Sequence, residues 1–268
     1  MCITKKIKSI MEEKETVRGK NLLIIIDPQN DFVNTDGSLY INGAEKAMKN
    51  LCELIRNGEG KFDQIIITQD THQCYHIGHG VWWEQMPEPF TKITLQDIID
   101  EKYTSMNKYP KELLEAYFSK LPGQTHTIWP EHCIEGSWGW CFPKDFVESL
   151  NLYCLKYMNK TGCFNRYQII QKGQKATKEM FSAFSYADGD KNDDIIAKNY
   201  WADRFNKIYI TGFAKDVCVA YSVKDLIESG KFDGKLVFLD SCMAGLDPKS
   251  EMLKVYEDAV NNHGAVWE

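Results

Sequence analysis

NLLIIIDPQNDF, residues 21–32, is the stretch on which the fold turns. Residues 22–26 are apolar without a break, and three of them are isoleucine. Such a short run has no polar face. It reads as a strand buried on both sides, the mark of a parallel sheet with layers above and below. Pro28 ends the run at once and leaves Asp27 at the strand's carboxyl end.

The same pattern recurs down the chain. FDQIIITQD (62–70), KIYITGFA (207–214) and KLVFLDS (235–241) read as further buried strands. LYCLKYM (152–158) is a candidate third strand, whose charge suggests an edge position, and 265–267 a last short one. Helices are expected over 44–57, with Ala47, Met48, Leu51, Leu54 and Ile55 on one stripe, and over 194–204, 217–229 and 248–264. Gly230 and Gly264 stand where the last two should stop. Strands alternate with helices, which predicts an α/β fold: a three-layer, doubly wound, mostly parallel sheet with helices on both faces. Residues 1–20 are expected as a polar tail and 21–268 as one domain. Residues 81–124 break the rhythm and read as an insertion holding two helix-like pieces, TLQDIIDEKY and PKELLEAYFSK.

Composition narrows the function. The 268 residues carry 32 basic and 38 acidic side chains, a net charge of -6, so a nucleic-acid partner is not expected. No apolar run approaches the length a bilayer needs, so no membrane association is expected either. The first twenty residues lack an apolar leader core, and we expect a cytoplasmic chain with reduced thiols. None of the nine cysteines forms a CxxC pair.

Ligands in open parallel sheets bind beyond the carboxyl ends of the strands. Asp27 stands there after the first strand, Asp70 and His72 after the second, and Ala214, Asp216 and Cys218 after the 207–214 strand. Cys218 enters a helix, whose N-terminus should favour a thiolate and lower the thiol pKa. Asp27 could accept the thiol proton and return it to a leaving group. Taken singly, each residue could equally be ordinary: a buried helix cysteine, a turn-forming aspartate. TQDTHQCYHIGH (68–79) and WPEHC (129–133) carry histidines, and five of the six in the chain fall between residues 72 and 132. Asp70, His72 and His132 form a set suited to an open zinc, iron or manganese site. His76 and His79 are by default surface-loop residues.

Six segments together carry a resemblance: IIIDPQNDF (24–32), TQDTH (68–72), WPEHCIEGSWG (129–139), QKGQ with FSAF (171–184), YITGFAKDVCV (209–219) and FLDSCMAG (238–245). In this order they resemble the isochorismatase-like cysteine hydrolase superfamily and, within it, the nicotinamidase/pyrazinamidase family. The resemblance implies a catalytic set of Asp27, Lys172 and Cys218, with an oxyanion held by the N–H groups of Ala214 and Cys218. It implies a cis Phe213–Ala214 bond. Phe32, Trp129 and Phe181 would wall a pyridine ring, and Asp70, His72 and His132 would hold a divalent metal, zinc first, with iron or manganese as alternatives. The implied reaction is hydrolysis of a small carboxamide, nicotinamide, through a cysteine thioester; a homo-oligomer would fit the family. The alternatives are another C–N hydrolase of this fold, for carbamoyl, ureido or maleamate-type substrates, a non-catalytic scaffold, and a thiol redox sensor with Cys242 as resolving cysteine. Trp82 and Trp83 have no counterpart in the pattern.

Overall fold

Alternate side chains of β1 (Asn21–Ile26) enter two separate cores. Leu22, Ile24 and Ile26 belong to one and Leu23 and Ile25 to the other, all at most 1% exposed. A strand sandwiched between two apolar layers needs an unbroken apolar run, and each such side chain contributes about 1.5–3 kcal/mol on burial. The computed structural model describes residues 20–58, 60–161, 167–191 and 198–268. Apart from Lys20, the expected N-terminal tail lies outside the described residues.

From β1 the chain runs through a short helix α1 (Asn30–Val33), α2 (Ala44–Asn57) and β2 (Gln64–Asp70). Next come β3 (Lys92–Thr94), α3 (Leu95–Ile99), α4 (Lys111–Lys120) and β4 (Thr125–Thr127), then α5 (Lys144–Thr161) and β5 (Tyr167–Lys172). The last part holds α6 (Lys198–Arg204), β6 (Lys207–Phe213), α7 (Ala220–Glu228), β7 (Leu236–Ala244), α8 (Lys254–His263) and β8 (Val266–Trp267). Six strands form one sheet in the order β5-β2-β1-β6-β7-β8, with every neighbouring pair parallel. Helices α2 and α5 cover the face carrying Leu23 and Ile25; α6, α7 and α8 cover the other. The chain steps from β1 to β2 and β5 on one side, then returns to β6 on the other. The crevice between β1 and β6 is therefore the topological switch point, where ligands bind in such sheets. No helix among the described residues is long and apolar enough to cross a membrane.

Several expectations need correction. Residues 152–158 are not a strand but part of α5. Phe146, Leu150, Tyr153 and Tyr157 face the core at helical spacing, a period that a seven-residue window hides. The missing strand is β5, whose sequence YQIIQK lacks a long apolar run because it is an edge strand, with Ile169 44% exposed. β7 runs three residues beyond the expected end. The helix expected from residue 217 begins as a π-helical turn, Lys215–Val219, before α7. The helix expected from 248 starts with a tight turn, Glu251–Leu253, and its N-terminus is capped by Ser250. Of the helix expected over 194–204, residues 194–197 lie outside the described residues.

The insertion has a core of its own. Trp82, Trp83, Ile93, Ile98, Leu114 and Phe118 pack together there, each at most 3% exposed. β3 and β4 form a small antiparallel pair, and Thr94 and Asp97 close a capping box on α3. Trp82 and Trp83, unplaced from the sequence, are thus the centre of this cluster.

Candidate active site

Four strand ends deliver the site. Asp27 follows β1, Asp70 ends β2, Lys172 ends β5, and Cys218 lies in the π-helical turn after β6. All four are buried, none more than 8% exposed. Lys172 Nζ lies 3.0 Å from Asp27 Oδ2, 3.1 Å from Asp70 Oδ1 and 3.7 Å from Cys218 Sγ, and donates to the Met180 carbonyl at 2.9 Å. Lys172 thus bridges the Asp27 carboxylate and the Cys218 sulfur. Thr68 Oγ1 donates to Asp27 Oδ1 at 2.6 Å and accepts the Asp27 N–H at 3.0 Å. An acid, an ammonium and a thiol from three distant segments therefore meet as expected.

The turn explains the position of Cys218. Gly212, with φ of 128°, sits where a Cβ would come within 2.1 Å of the Ile26 carbonyl oxygen, so only glycine lets β6 pass β1 this closely. The Phe213–Ala214 bond is cis, as the resemblance implied. The Ala214 carbonyl then accepts from Val217 and Val219, the residues on either side of Cys218. Asp216 accepts the N–H groups of Leu246 and Asp247 at 2.8 and 2.7 Å, fixing that loop beside the turn.

Electrostatics correct one expectation. Burial, together with Asp27 and Asp70, pushes the Cys218 thiol well above its ordinary pKa, and outweighs Lys172. Cys218 therefore rests as a neutral thiol rather than a thiolate. Burial also raises Asp27, against the pull of Lys172, which makes it a stronger proton acceptor. Burial works against the charge on Lys172, but Asp27 and Asp70 hold its pKa well above the usual range. The ammonium is permanent.

Asp70 also faces His72 and His132. Oδ1 is 3.7 Å from His72 Nε2 and Oδ2 is 3.5 Å from His132 Nε2. These gaps are too long for hydrogen bonds. They start from different oxygens, so the carboxylate faces both imidazoles at once. His72 Nδ1 lies 3.1 Å from the His132 carbonyl and His132 Nδ1 lies 2.7 Å from the Pro130 carbonyl. A carbonyl only accepts, so both Nδ1 atoms carry a proton, which leaves each Nε2 as the atom that could face a cation. His72 Nε2 is buried with no hydrogen-bond partner. Burial disfavours charge on His72, yet Asp70 and Glu179 push its pKa up to about 9. The position attracts positive charge, and the donor set fits a divalent cation.

The aspartates and amides of DPQND position these groups. The Gln29 side-chain amide donates to the Asp70 carbonyl and accepts the Asp70 N–H, both at 2.7 Å. Asp31 accepts the Cys133 N–H at 2.6 Å, next to His132. Gly173, with φ of 77°, leaves room for the cluster: a Cβ there would lie 2.8 Å from Asp70 Oδ1 and 3.2 Å from His72 Nε2.

A pocket opens on this centre. Phe32, Trp129 and Phe181 line it, with Lys172, Ala214 and Cys218 at its base. Sequence reading missed Leu39, Ile41, Val217 and Leu246, which complete the apolar wall. It also missed Glu179, 3% exposed and 3.6 Å from His72 Nε2. His76 and His79, expected at the surface, are fully buried. Only their number in one loop hinted at this. The insertion reaches the site through Tyr117, whose hydroxyl accepts the Glu179 N–H at 3.0 Å, and Trp83, whose Nε1 donates to the Ile77 carbonyl at 3.1 Å. Cys242 packs in the core on the opposite side of the sheet from that of Cys218, which argues against the redox pairing.

Comparison with models of known protein families finds no match. Among curated proteins, the chain is 26% identical over 223 residues to a nicotinamidase of Acinetobacter baylyi, covering 83% of this chain and 80% of that one. It is 23% identical over 214 residues to a nicotinamidase of Saccharomyces cerevisiae, covering 78% and 82%. Among solved structures, the Acinetobacter baumanii nicotinamidase/pyrazinamidase superposes with a TM-score of 0.64 at 22% identity, covering 94% of this chain and 97% of that one. The yeast nicotinamidase bound to the inhibitor nicotinaldehyde gives 0.62 at 22%, covering 92% and 98%. The pyrazinamidase of Pyrococcus horikoshii in complex with zinc gives 0.56 at 20%, covering 93% and 98%. The fold is thus the isochorismatase-like one shared by these hydrolases.

Proposed function

We propose that this protein is a nicotinamidase, a cysteine amidohydrolase that converts nicotinamide to nicotinic acid and ammonia. The observation that carries the reading is the meeting of Asp27, Lys172 and Cys218 at the base of an aromatic-walled pocket, with Asp70, His72 and His132 beside them. The likeness to proteins named nicotinamidase, over about four-fifths of the chain, supports it. So does the nicotinaldehyde bound to one structural relative.

The chemistry follows from the resting protonation. Asp27 takes the proton of the Cys218 thiol as the sulfur attacks the carboxamide carbon. Lys172, 3.7 Å from Sγ, stabilises the growing negative charge by about 4 kcal/mol at an effective dielectric of 20. The N–H groups of Ala214 and Cys218 receive the carbonyl oxygen as it becomes an oxyanion. The C–N bond breaks, Asp27 returns its proton to the nitrogen, and ammonia leaves. Water then attacks the thioester with Asp27 as base; the acid is released and the thiol restored. Asp27, Lys172 and Cys218 exchange charge as one coupled set.

Phe32, Trp129 and Phe181 hold the ring by apolar and stacking contact. Asp70, His72 and His132 would hold a divalent cation, zinc being the first candidate, which would supply Lewis-acid chemistry beside the ring. Such an enzyme returns nicotinamide to NAD synthesis.

Ammonia release from nicotinamide, pyrazinamide and aliphatic amides, with metal analysis of the same sample, tests the reading. The expected result is turnover of the two aromatic amides, abolished in Cys218→Ala with melting temperature retained. Wild-type-like turnover in that variant, or a preference for aliphatic, ureido or carbamoyl substrates, would overturn it.

A further inference from the structure

The insertion also reaches the aromatic wall of the pocket. β3 and β4 pair antiparallel with Lys92 opposite Thr127, and that register, carried two residues further, sets Phe90 opposite Trp129. The main chain carries it there: the Phe90 N–H donates to the Ile128 carbonyl, and the Ile128 N–H donates to the Thr91 carbonyl at 2.9 Å. The Phe90 ring meets the Trp129 indole edge-on, with centroids 6.0 Å apart and planes at 80°. Phe181 meets the same indole at 6.1 Å and 76°. Trp129 Nε1 is buried with no hydrogen-bond partner. No polar bond from the indole fixes its plane, so packing against other rings has to. Phe90 is held in this contact against its own preference. Its φ is 69°, in the left-handed region that bulky residues rarely adopt, and the residue is 58% exposed. A strained and largely wetted phenylalanine adds little to the fold, and backbone strain of this kind gathers at ligand clamps.

We propose that Phe90, an insertion residue, is a positioning residue for Trp129 and, through it, for the aromatic ring of the substrate. The proposal rests on the reading of this pocket as a nicotinamide site and deepens it. Phe90 is not itself part of the pocket lining, whereas Trp129 and Phe181 are. Edge-to-face contact is directional, so Phe90 keeps the indole from turning about its side-chain bonds and holds one face of the pocket in place. The indole serves the ring of the substrate and not its carboxamide carbon. Its grip is therefore the same before and during the reaction. Losing such uniform binding raises KM and leaves kcat as it was.

The test is steady-state ammonia release from nicotinamide by the full-length protein supplied with zinc. Phe90→Ala removes the ring but keeps a Cβ in the left-handed conformation. Phe90→Gly removes the ring and the strain together, so a folding defect in the first leaves the second to read. Phe90→Tyr keeps the ring. Melting temperature checks the fold of each. The expected result is a KM raised by roughly 2- to 12-fold in Phe90→Ala and Phe90→Gly, the equivalent of one aromatic pair, with kcat retained. Phe90→Tyr should restore the wild-type KM. A wild-type KM in either ring-less variant, a loss carried by kcat instead, or the same loss in Phe90→Tyr would overturn the role of Phe90 and leave the proposed function standing. Wild-type protein that turns over neither nicotinamide nor pyrazinamide would overturn the proposed function and this inference with it.

Discussion

Gly173→Ala separates backbone strain from damage to the candidate metal centre. Gly173 has φ of 77°, in the left-handed region, where a Cβ costs about 1–2 kcal/mol. At 1 kcal/mol for roughly each 2–4 °C, that strain alone lowers the melting temperature by about 2–8 °C. The new methyl group would also stand 2.8 Å from Asp70 Oδ1 and 3.2 Å from His72 Nε2. Asp70 Oδ1 must then retreat by about half an ångström to reach an ordinary contact, whereas metal sites tolerate errors of about 0.2 Å. Gly123→Ala is the matched control: φ is 61°, and nothing lies within 4 Å of its Cβ position. Both variants should melt lower by similar amounts. Gly173→Ala alone should lose zinc affinity, by at least about tenfold, and hydrolysis of nicotinamide with it. Calorimetry, chelator competition and ammonia release read the three quantities. Equal zinc affinity and equal turnover in the two variants would refute the placement of the cation beside Gly173.

Two other outcomes are expected. Lys172→Met leaves Asp27 and Asp70 buried without the ammonium that sits 3.0 and 3.1 Å from them. It should destabilise the metal-free protein by about 3–5 kcal/mol, and a melting temperature within about 2 °C of wild type, roughly the effect of 1 kcal/mol or less, would contradict the pairing. His76 is held neutral, its pKa pushed down to about 3, first by burial and then by His72. Its folded pKa lies below the unfolded value, so the stability linked to it is present above pH 6.5 and is lost as pH falls toward 3. Urea unfolding of metal-free protein across this window should lose about 1.4 kcal/mol more per pH unit than His76→Phe; equal slopes would show that His76 is not buried neutral.

The sheet was legible where both faces of a strand are apolar. Residues 22–26 and 64–70 carry the required composition in a few letters, because their position between two layers permits no polar face. β5 was not legible, since an edge strand keeps one side wet and looks like any mixed segment. α5 was misread because its apolar period appears only when Phe146 and Leu150 are included. Of the candidate catalytic residues, Asp27 and Cys218 were legible through their places at strand ends, and Lys172 only through the motif that carries it. The protonation of Cys218 was not, because burial, with the carboxylates Asp27 and Asp70 beside it, pushes the thiol pKa up against Lys172. His79 and Glu179 were hidden for a further reason. Whether a loop histidine faces water or the interior depends on how residues 72–79 fold against residues 129–132, a contact between distant segments with no local signature.

The insertion bears on how this chain could be shortened. Its tryptophan and tyrosine grip two stretches at once: the loop that follows β2, through Ile77, and the one that follows Lys172, through Glu179. Cutting out residues 81–124 would loosen the mounts of the histidine loop and of the segment whose carbonyl, at Met180, anchors the lysine ammonium. The outgrowth is accordingly a buttress of the reaction centre, and trimming toward a minimal version of the fold has to leave it standing.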